Sequence, residues 1–176
     1  MKFRYRVINW NLAVALALTA VLAGCASSSR KKKDQEISTI RLHFEVNPQL
    51  VRRSMEVSVL RARPMKLTVA EEPLVHEGYL DEVTILDDGS THSIRLQFDD
   101  SGRRLLETES AVSIGKHIAI GAQFPELRWL AAPLVTRINT NGVVTFTPDA
   151  DLAECRQLVD GLKLAIEQRK KDTWLK

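Results

Sequence analysis

The sequence predicts an α+β domain in which helices pack on one face of a mixed or antiparallel sheet. Short stretches in which apolar and polar residues alternate predict half-buried strands, and longer stretches with apolar residues every three or four positions predict helices. From residue 93 to residue 171 these segments follow the order strand, helix, strand, strand, strand, helix. This order predicts a split α+β arrangement with both helices on one face of a single sheet.

The first half of the globular body is predicted to consist of strands. Between residues 40 and 46, apolar side chains alternate with polar ones, so one face of this strand should meet the core and the other the solvent. Further strands are predicted around residues 57–59, 65–69 and 83–85. These additional N-terminal strands either form a layer of their own or extend the same sheet.

Two helices are predicted in the second half. The first is opened by Ser101-Gly102, and the second begins near Thr147-Pro148-Asp149, where polar oxygens and an acid suit the positive end of a helix dipole. The second helix ends at Arg169-Lys170-Lys171 and carries one apolar stripe that is expected to dock on a sheet. The stripe consists of six residues: Leu152, Cys155, Leu158, Val159, Leu162 and Ile166.

Strands are also predicted around the first helix, at residues 94–98 and 117–121. Two more, at 130–138 and 143–147, are separated by Asn139-Thr140-Asn141-Gly142. An Asn-Gly pair readily takes the positive φ angles of a two-residue turn. The sequence therefore predicts a tight hairpin between these last two strands.

The first 24 residues are typical of an export signal. Lys2, Arg4 and Arg6 precede an uncharged, largely apolar run from Leu12 to Gly24. This run of about 13 residues is shorter than the roughly 20 that a helix needs to cross a hydrocarbon core, which disfavours a permanent transmembrane anchor. We therefore predict a signal peptide over residues 1–24.

The residues Leu22-Ala23-Gly24-Cys25 resemble the bacterial lipobox. In that motif the cysteine thiol receives diacylglycerol before cleavage, and the new amino end is usually acylated with a fatty acid such as palmitate. The resemblance implies lipidation at Cys25 and a mature chain that starts there, and the alternative is an ordinary signal peptide with an incidental cysteine. Two or three acyl chains anchor a protein stably, because each buried methylene contributes about 0.8 kcal/mol. Ala26, where an Asp is associated with inner-membrane retention, favours the periplasmic face of the outer membrane.

Residues 25–36 are predicted to be a flexible tether to a globular domain over residues 37–176. From Ser27 to Glu36 the chain has no apolar side chain to bury. Its four cations, at residues 30–33, either lie against anionic lipid headgroups or are simply solvated.

The distribution of charge excludes nucleic acid as the main partner. The chain has 25 Lys and Arg against 22 Asp and Glu, but three of the cations lie in the signal segment, which leaves 22 charges of each sign. Binding to a phosphate backbone depends on a concentrated excess of basic residues. Two cysteines also exclude a multi-disulfide scaffold and a four-thiolate zinc site, and Cys155 is predicted to be a buried free thiol.

Several short motifs follow one another between residues 70 and 165. They are Glu72-Pro73-Leu74, residues 81–84, Arg95-Leu96-Gln97-Phe98-Asp99, Gly102, Glu107-Thr108, residues 115–120, Ala132-Pro133-Leu134-Val135, residues 141–146, and residues 152–162 with Gly161. In this order they resemble the head part of the large periplasmic region of SecD, the protein-export membrane protein. The resemblance implies a ferredoxin-like α+β head domain on a lipid anchor. It does not carry over proton-driven export, because no other hydrophobic segment is long enough to cross a bilayer.

No catalytic or metal-binding motif is found in the sequence. The four histidines lie far apart and lack the paired spacing of a metal site; they are His43, His76, His92 and His117. Thr91-His92-Ser93 is a polar cluster that contains a base and hydroxyls, but it lies at a strand entrance beside a turn. We therefore predict no enzymatic activity, no metal and no cofactor.

The most apolar irregular stretch covers residues 124–130. Phe124, Leu127 and Trp129 are predicted to form a contact loop for a protein partner, and the alternative is that this loop packs on the core and covers a sheet edge.

The sequence thus predicts a lipid-anchored, non-catalytic envelope lipoprotein whose head-like domain mediates protein–protein interaction. The alternative is an accessory factor in protein export that contacts secreted chains. The expected partners are the membrane, through Cys25, and an envelope or export-machinery protein.

Overall fold

A computed structural model describes residues 36–89 and 91–174 of the chain. It confirms the predicted α+β class, with nine strands, a 3₁₀ turn and two helices among those residues. The predicted signal peptide, Cys25 and residues 26–35 lie outside them. In chain order the elements are β1 (Thr39–Phe44), β2 (Ser54–Val59), β3 (Met65–Ala70), β4 (Val75–His76), the 3₁₀ turn (Glu77–Tyr79), β5 (Leu80–Asp87), β6 (His92–Phe98), α1 (Asp100–Val112), β7 (Ile118–Gln123), β8 (Leu127–Ala131), β9 (Val143–Phe146) and α2 (Leu152–Trp174).

The strands form three antiparallel sheets in the described part of the chain. Their orders are β4-β1-β7-β8, β2-β3 and β5-β6-β9. The single sheet predicted for the second half is therefore divided, because β7 pairs with β1 along its whole length, from Thr39 opposite Gln123 to Phe44 opposite Ile118. β9 pairs with β6 instead. The N-terminal strand β1 thus lies inside a sheet, between β4 and β7.

The predicted tight hairpin between residues 130–138 and 143–147 is wrong. β8 ends at Ala131, and β8 and β9 belong to different sheets, so the residues between them form a crossover. The start of this crossover is bonded to the end of the α1–β7 loop: the Ile118 N–H donates to the Pro133 carbonyl (2.9 Å) and the Val135 N–H to the Lys116 carbonyl (2.8 Å). Because of these bonds, residues 133–135 lie beside residues 116–118 and do not pair with β9.

The Asn-Gly pair of this crossover does contain a residue with positive φ. Gly142 has φ = 67°. The side chain of Asn139 accepts from the Gly142 N–H (2.9 Å) and donates to the Val143 carbonyl (2.8 Å). Of the Asn-Gly pair only Gly142 has the predicted positive φ, and this turn lies at the start of β9 rather than between two paired strands.

Both helices and the two larger sheets bury their apolar faces in one core. In α1, Asp99 caps the helix by accepting hydrogen bonds from the Ser101 and Gly102 N–H groups. In α2 the predicted stripe is buried apart from the half-buried Leu152, and Cys155 is a buried free thiol as predicted. Burial raises the pKa of that thiol above its ordinary value.

The helix α2 begins a few residues later than predicted. The Glu154 N–H donates to Asp151 Oδ1 (2.8 Å), and the Asp151 N–H donates to Glu154 Oε2 (3.1 Å). Such a reciprocal pair satisfies two of the backbone N–H groups that a helix start leaves without a partner. Asp149 is not part of the helix, because its N–H donates to the Leu130 carbonyl (2.8 Å).

The β2-β3 hairpin forms a separate layer. Its inward-facing side chains pack around Ala119 of β7 and against Trp129 of β8 in a second, smaller core. These side chains are Val57, Val59, Leu67 and Val69. The N-terminal strands were predicted either to extend a sheet or to form a layer of their own, and both arrangements occur. β1 and β4 complete a sheet, whereas β2 and β3 form a layer.

Candidate functional site

Exposed apolar side chains are concentrated at one end of α1. Eight large hydrophobic residues are exposed in the described part of the chain, and four of them lie on two neighbouring segments. The four are Val112 (71% exposed), Ile114 (55%), Leu134 (50%) and Ile138 (46%). We call these four residues the docking surface, because clustered apolar exposure on a folded domain marks sites of interaction with other molecules.

Backbone hydrogen bonds hold the two segments of the docking surface together. The Gly115 N–H donates to the Val135 carbonyl (2.9 Å), and His117 lies opposite Leu134 in an antiparallel bridge. The buried Ser110 hydroxyl accepts from the Asn139 N–H (2.8 Å) and donates to the Glu107 carbonyl (3.2 Å). The apolar residues are therefore presented by a fixed backbone rather than by an isolated loop.

A groove of about 480 Å³ runs beside the docking surface. One wall is β9, through Val143 and Thr145, and the other is the crossover segment 133–141, with Leu134 and Ile138 on its lip. The exposed cations Lys116 and Arg137 flank the same region. An apolar lip with a polar rim is the usual anatomy of a protein contact.

The docking surface was not predicted from the sequence. Leu134 and Ile138 lie within the predicted strand 130–138, where two residues four positions apart share one face of a sheet. Pro133 was the available signal, because proline lacks the N–H that a central strand donates. A strand that ends before Pro133 leaves the apolar residues after it outside the sheet. These residues would then be expected to be exposed.

The residues of the predicted contact loop do not share one surface. Phe124 lies in the turn between β7 and β8, Leu127 is the first residue of β8, and Trp129 lies in the middle of β8. Leu127 is exposed, but Phe124 is 6% exposed and belongs to the main core, where the Arg128 guanidinium lies 5.6 Å from its ring centre. Trp129 is half-buried against the smaller core. Binding through this turn remains a prediction, and among the three residues only Leu127, at 56%, has an exposed side chain.

Trp129 closes the face of the sheet on which the β2-β3 hairpin rests. Its ring stacks over Gly121, where an added Cβ would lie 3.2 Å from the indole. It also meets the His43 ring edge-on, with ring centres 5.2 Å apart. The His43 ring donates to the Ala70 carbonyl (2.8 Å), and burial is the main cause that lowers its pKa below the ordinary value.

The other three histidines also have structural partners. His76 accepts from the Gly78 N–H (3.1 Å) and so caps the 3₁₀ turn. His117 Nδ1 lies 3.0 Å from Glu45 Oε2, which also accepts from the His117 N–H (2.9 Å). Burial raises the pKa of the Glu45 carboxyl, but the two hydrogen bonds from His117 outweigh this and hold that pKa below its ordinary value.

The polar cluster Thr91-His92-Ser93 is divided between different partners. His92 Nδ1 lies 3.2 Å from Asp87 Oδ1, whereas the Ser93 hydroxyl lies 3.1 Å from that of Thr147. The Gly89 N–H is the main cause that lowers the pKa of Asp87. These contacts stabilise the β5–β6 turn and the β6–β9 pair.

Two further findings concern the chemistry of the described residues. Among them, no three His, Cys, Asp or Glu side chains come close enough to hold a metal ion. In the same part of the chain, neither helix combines the length and the apolar character required to cross a bilayer.

The fold defines the class of this domain. It is an α+β domain of the kind expected from the SecD resemblance, with two helices and antiparallel sheets around one core. It is similar to the structure of SecDF that is described as a membrane component that enhances protein export. The TM-score is 0.52 at 13% sequence identity, over 92% of this chain and 71% of that one.

A second similar structure is that of SecDF in its super-membrane-facing form. The TM-score is 0.51 at 14% identity, over 73% of this chain, which spans 19% of that protein's length. No protein-family model and no curated protein matches the sequence itself. At this level of identity the similarity establishes the fold alone.

Proposed function

We propose that this chain is a non-catalytic envelope lipoprotein, lipid-anchored at Cys25, whose SecD-head-like domain binds a segment of another protein. The docking surface is the observation that carries this proposal. Four large apolar side chains in water beside a groove have an unfavourable hydration free energy that a protein partner would remove. The proposed location is the periplasmic face of the outer membrane.

A second candidate function is that of an accessory factor in export, which contacts secreted chains in transit. The similarity of the fold to SecDF, described as enhancing protein export, favours it. A resident envelope partner and a chain in transit would present the same apolar chemistry to the docking surface. They differ in lifetime, because a chain in transit occupies the groove only during its passage.

Replacing Cys25 with alanine is expected to move the chain from the membrane fraction to the soluble fraction and to abolish labelling by a fatty-acid probe. The physical reason is the loss of two or three acyl chains, each of which contributes about 0.8 kcal/mol per buried methylene. Fractionation and acyl labelling in cells measure both effects. Cys155→Ala is the matched control and should leave both unchanged. Unaltered partitioning of the Cys25→Ala chain would contradict the lipid anchor.

The double substitution Leu134→Ser with Ile138→Ser is expected to reduce the yield of a site-specific photo-crosslink from position 136 by at least about tenfold. Each apolar side chain that is buried at a contact contributes about 1.5 to 3 kcal/mol. Because both residues are exposed, the free energy of unfolding should change by less than about 0.5 kcal/mol. The yield is measured in cells that express the full chain.

Leu50→Ser and Leu86→Ser are matched controls, because both side chains are exposed but lie outside the docking surface. They should leave the crosslink from position 136 intact. A crosslink that disappears when protein synthesis is stopped indicates a chain in transit, whereas one that persists indicates a resident partner. Equal yields with and without the double substitution would contradict the role of this surface.

A further inference from the structure

The outer edge of β2 carries backbone groups that no neighbouring strand pairs. In the two-stranded β2-β3 sheet, β2 pairs only with β3. In an antiparallel pair, alternate residues direct their N–H and C=O groups toward the partner, and the residues between them direct theirs outward. The residues that face outward on β2 can therefore be read from the bonds of β3.

Three hydrogen bonds fix this register. The Thr68 carbonyl accepts from the Val46 N–H (2.9 Å) and the Ala70 carbonyl accepts from the His43 ring (2.8 Å), so both point away from β2. The Glu71 N–H donates to the Arg53 carbonyl (3.2 Å), which continues the bonded pairs beyond the strand. The bonded partners on β2 are therefore Met55, Val57 and Val59. Ser54, Glu56 and Ser58 direct their N–H and C=O groups outward.

No second strand is hydrogen-bonded to this edge in the described structure, although β2 also lies close to β8. Glu56 and Ser58 are exposed, and none of the hydrogen bonds from other described segments reaches the backbone of the three outward-facing residues. The hairpin itself is firmly held, because its apolar face forms the smaller core. An exposed, unpaired and well-anchored strand edge is a template for the addition of another extended chain.

The segments at both ends of β2 carry exposed arginines, and Glu71 lies across the hairpin from Arg53. Residues 52–66 contain five cations and one acid, although the mature chain as a whole is neutral. Lys66 Nζ lies 2.8 Å from Glu56 Oε1, so the one acid is already paired. Arg61 contacts Asp149 and Glu154, and this leaves the exposed Arg52 and Arg53 at the entry end of β2 and Arg63 at its exit.

A groove of about 410 Å³ begins where the edge ends. It is lined by Leu60, the residue that directly follows β2, by Ala132 and Pro133 after β8, and by residues 145–147 of and after β9. Leu60 therefore places one wall of this groove directly after the last residue of β2. The edge therefore offers backbone bonds along its length and a recess for a side chain at its end.

We propose that the outer edge of β2 binds an extended, acidic segment of another protein by β-strand addition. Backbone hydrogen bonds to Ser54, Glu56 and Ser58 contribute binding free energy that does not depend on the sequence of the peptide. The arginines at both ends of β2 favour peptides that carry carboxylates. The unpaired N–H and C=O groups favour a peptide over an anionic lipid surface, because only a peptide satisfies both donors and acceptors. The grooves at the two sites share Pro133 and Thr145 as lining residues, but strand addition to β2 does not use the four residues of the docking surface.

The first test uses the full chain and a synthetic peptide of alternating valine and glutamate with blocked ends. Ser58→Pro is expected to weaken binding by about tenfold, because the substitution removes an outward N–H and places a ring where the added strand would lie. The ladder with β3 should remain intact, since the Ser58 N–H does not take part in it. Ser58→Ala keeps the N–H and is the matched control. Fluorescence anisotropy measures the affinity, and thermal unfolding checks the fold of both variants.

Hydrogen exchange supplies a readout specific to strand addition. On peptide binding, the amides of Ser54, Glu56 and Ser58 should become protected, whereas those of Met55 and Val57 should change little. Equal affinity of the Ser58→Pro and Ser58→Ala chains, or binding without this alternating protection, would overturn the proposal.

A charge-reversed variant tests the preference for acidic segments and does not rely on proline. Arg52→Glu with Arg53→Glu should weaken binding of the valine–glutamate peptide by about tenfold and strengthen binding of a valine–lysine peptide. Two other results would overturn the proposal. One is that the unsubstituted chain binds vesicles of anionic phosphatidylglycerol more tightly than it binds the peptide, and that the charge-reversed variant no longer binds these vesicles. The other is a dimer of the chain that Ser58→Pro dissociates, which would make a second copy the occupant.

Discussion

Replacing Leu158 with alanine is expected to lower the free energy of unfolding by about 3 kcal/mol. Leu158 lies in the first half of α2 with no exposed surface, in the core that both larger sheets and both helices share. Removal of its isobutyl group loses the transfer free energy of the buried carbons and leaves a cavity that close-packed neighbours fill only in part. Chemical denaturation of the purified chain measures the change.

The matched control for this prediction is Leu50→Ala. Leu50 is 83% exposed in the turn after β1, so the same chemical change should alter the free energy of unfolding by less than about 0.5 kcal/mol. A loss below about 1 kcal/mol for Leu158→Ala would mean that α2 does not close the core as the structure describes.

Replacing Gly161 with valine is expected to lower the free energy of unfolding by about 3 kcal/mol. Gly161 lies in α2 where the helix touches the segment that precedes β1. A Cβ at this position would lie 2.7 Å from the Glu36 carbonyl oxygen and 2.8 Å from Ser38 Cβ, and it would also overlap the Ser38 hydroxyl. The Ser38 hydroxyl can rotate, but the Glu36 carbonyl oxygen and the Cβ of the buried Ser38 can move only if the segment before β1 shifts. The gain in helix propensity over glycine, less than about 1 kcal/mol, does not offset the overlap.

Two further variants separate this contact from a general effect on the helix. Lys163→Val places valine at an exposed position of the same helix and should cost only about 0.5 kcal/mol. Ser38→Gly removes two of the overlapping atoms and should restore part of the stability of Gly161→Val, in a double-mutant cycle. The absence of any coupling between residues 38 and 161 would show that the segment before β1 does not pack on α2.

Local patterns in the sequence predicted most elements of this fold. The alternation in residues 40–46 and 94–98 gave strands because side chains on a strand alternate between faces, and the stripe through Leu158 and Leu162 gave a helix because it repeats at helical spacing. These patterns depend only on neighbours in the chain. They are therefore visible without knowledge of the tertiary structure.

The partners of the strands could not be predicted in the same way. β1 and β7 pair across more than 70 residues, and no local signal distinguishes this pairing from one between β7 and β6. The same limitation hid the docking surface. Leu134 is exposed because residues 133–135 bond to the loop after α1 and leave the sheets, and Phe124 is buried because the β7–β8 turn folds back on the core.

Residues 36–38, which contact α2 at Gly161, lead directly into β1. Pulling on the N-terminal end of the domain applies tension to residues 36–38, where they press on α2, and then to β1. Because β1 is hydrogen-bonded to a strand on each side, force along its axis is shared by many bonds at once, whereas an edge strand that is peeled away breaks them in succession. A domain that is tethered at this end would therefore hold its shape while its far surface is pulled by a bound partner.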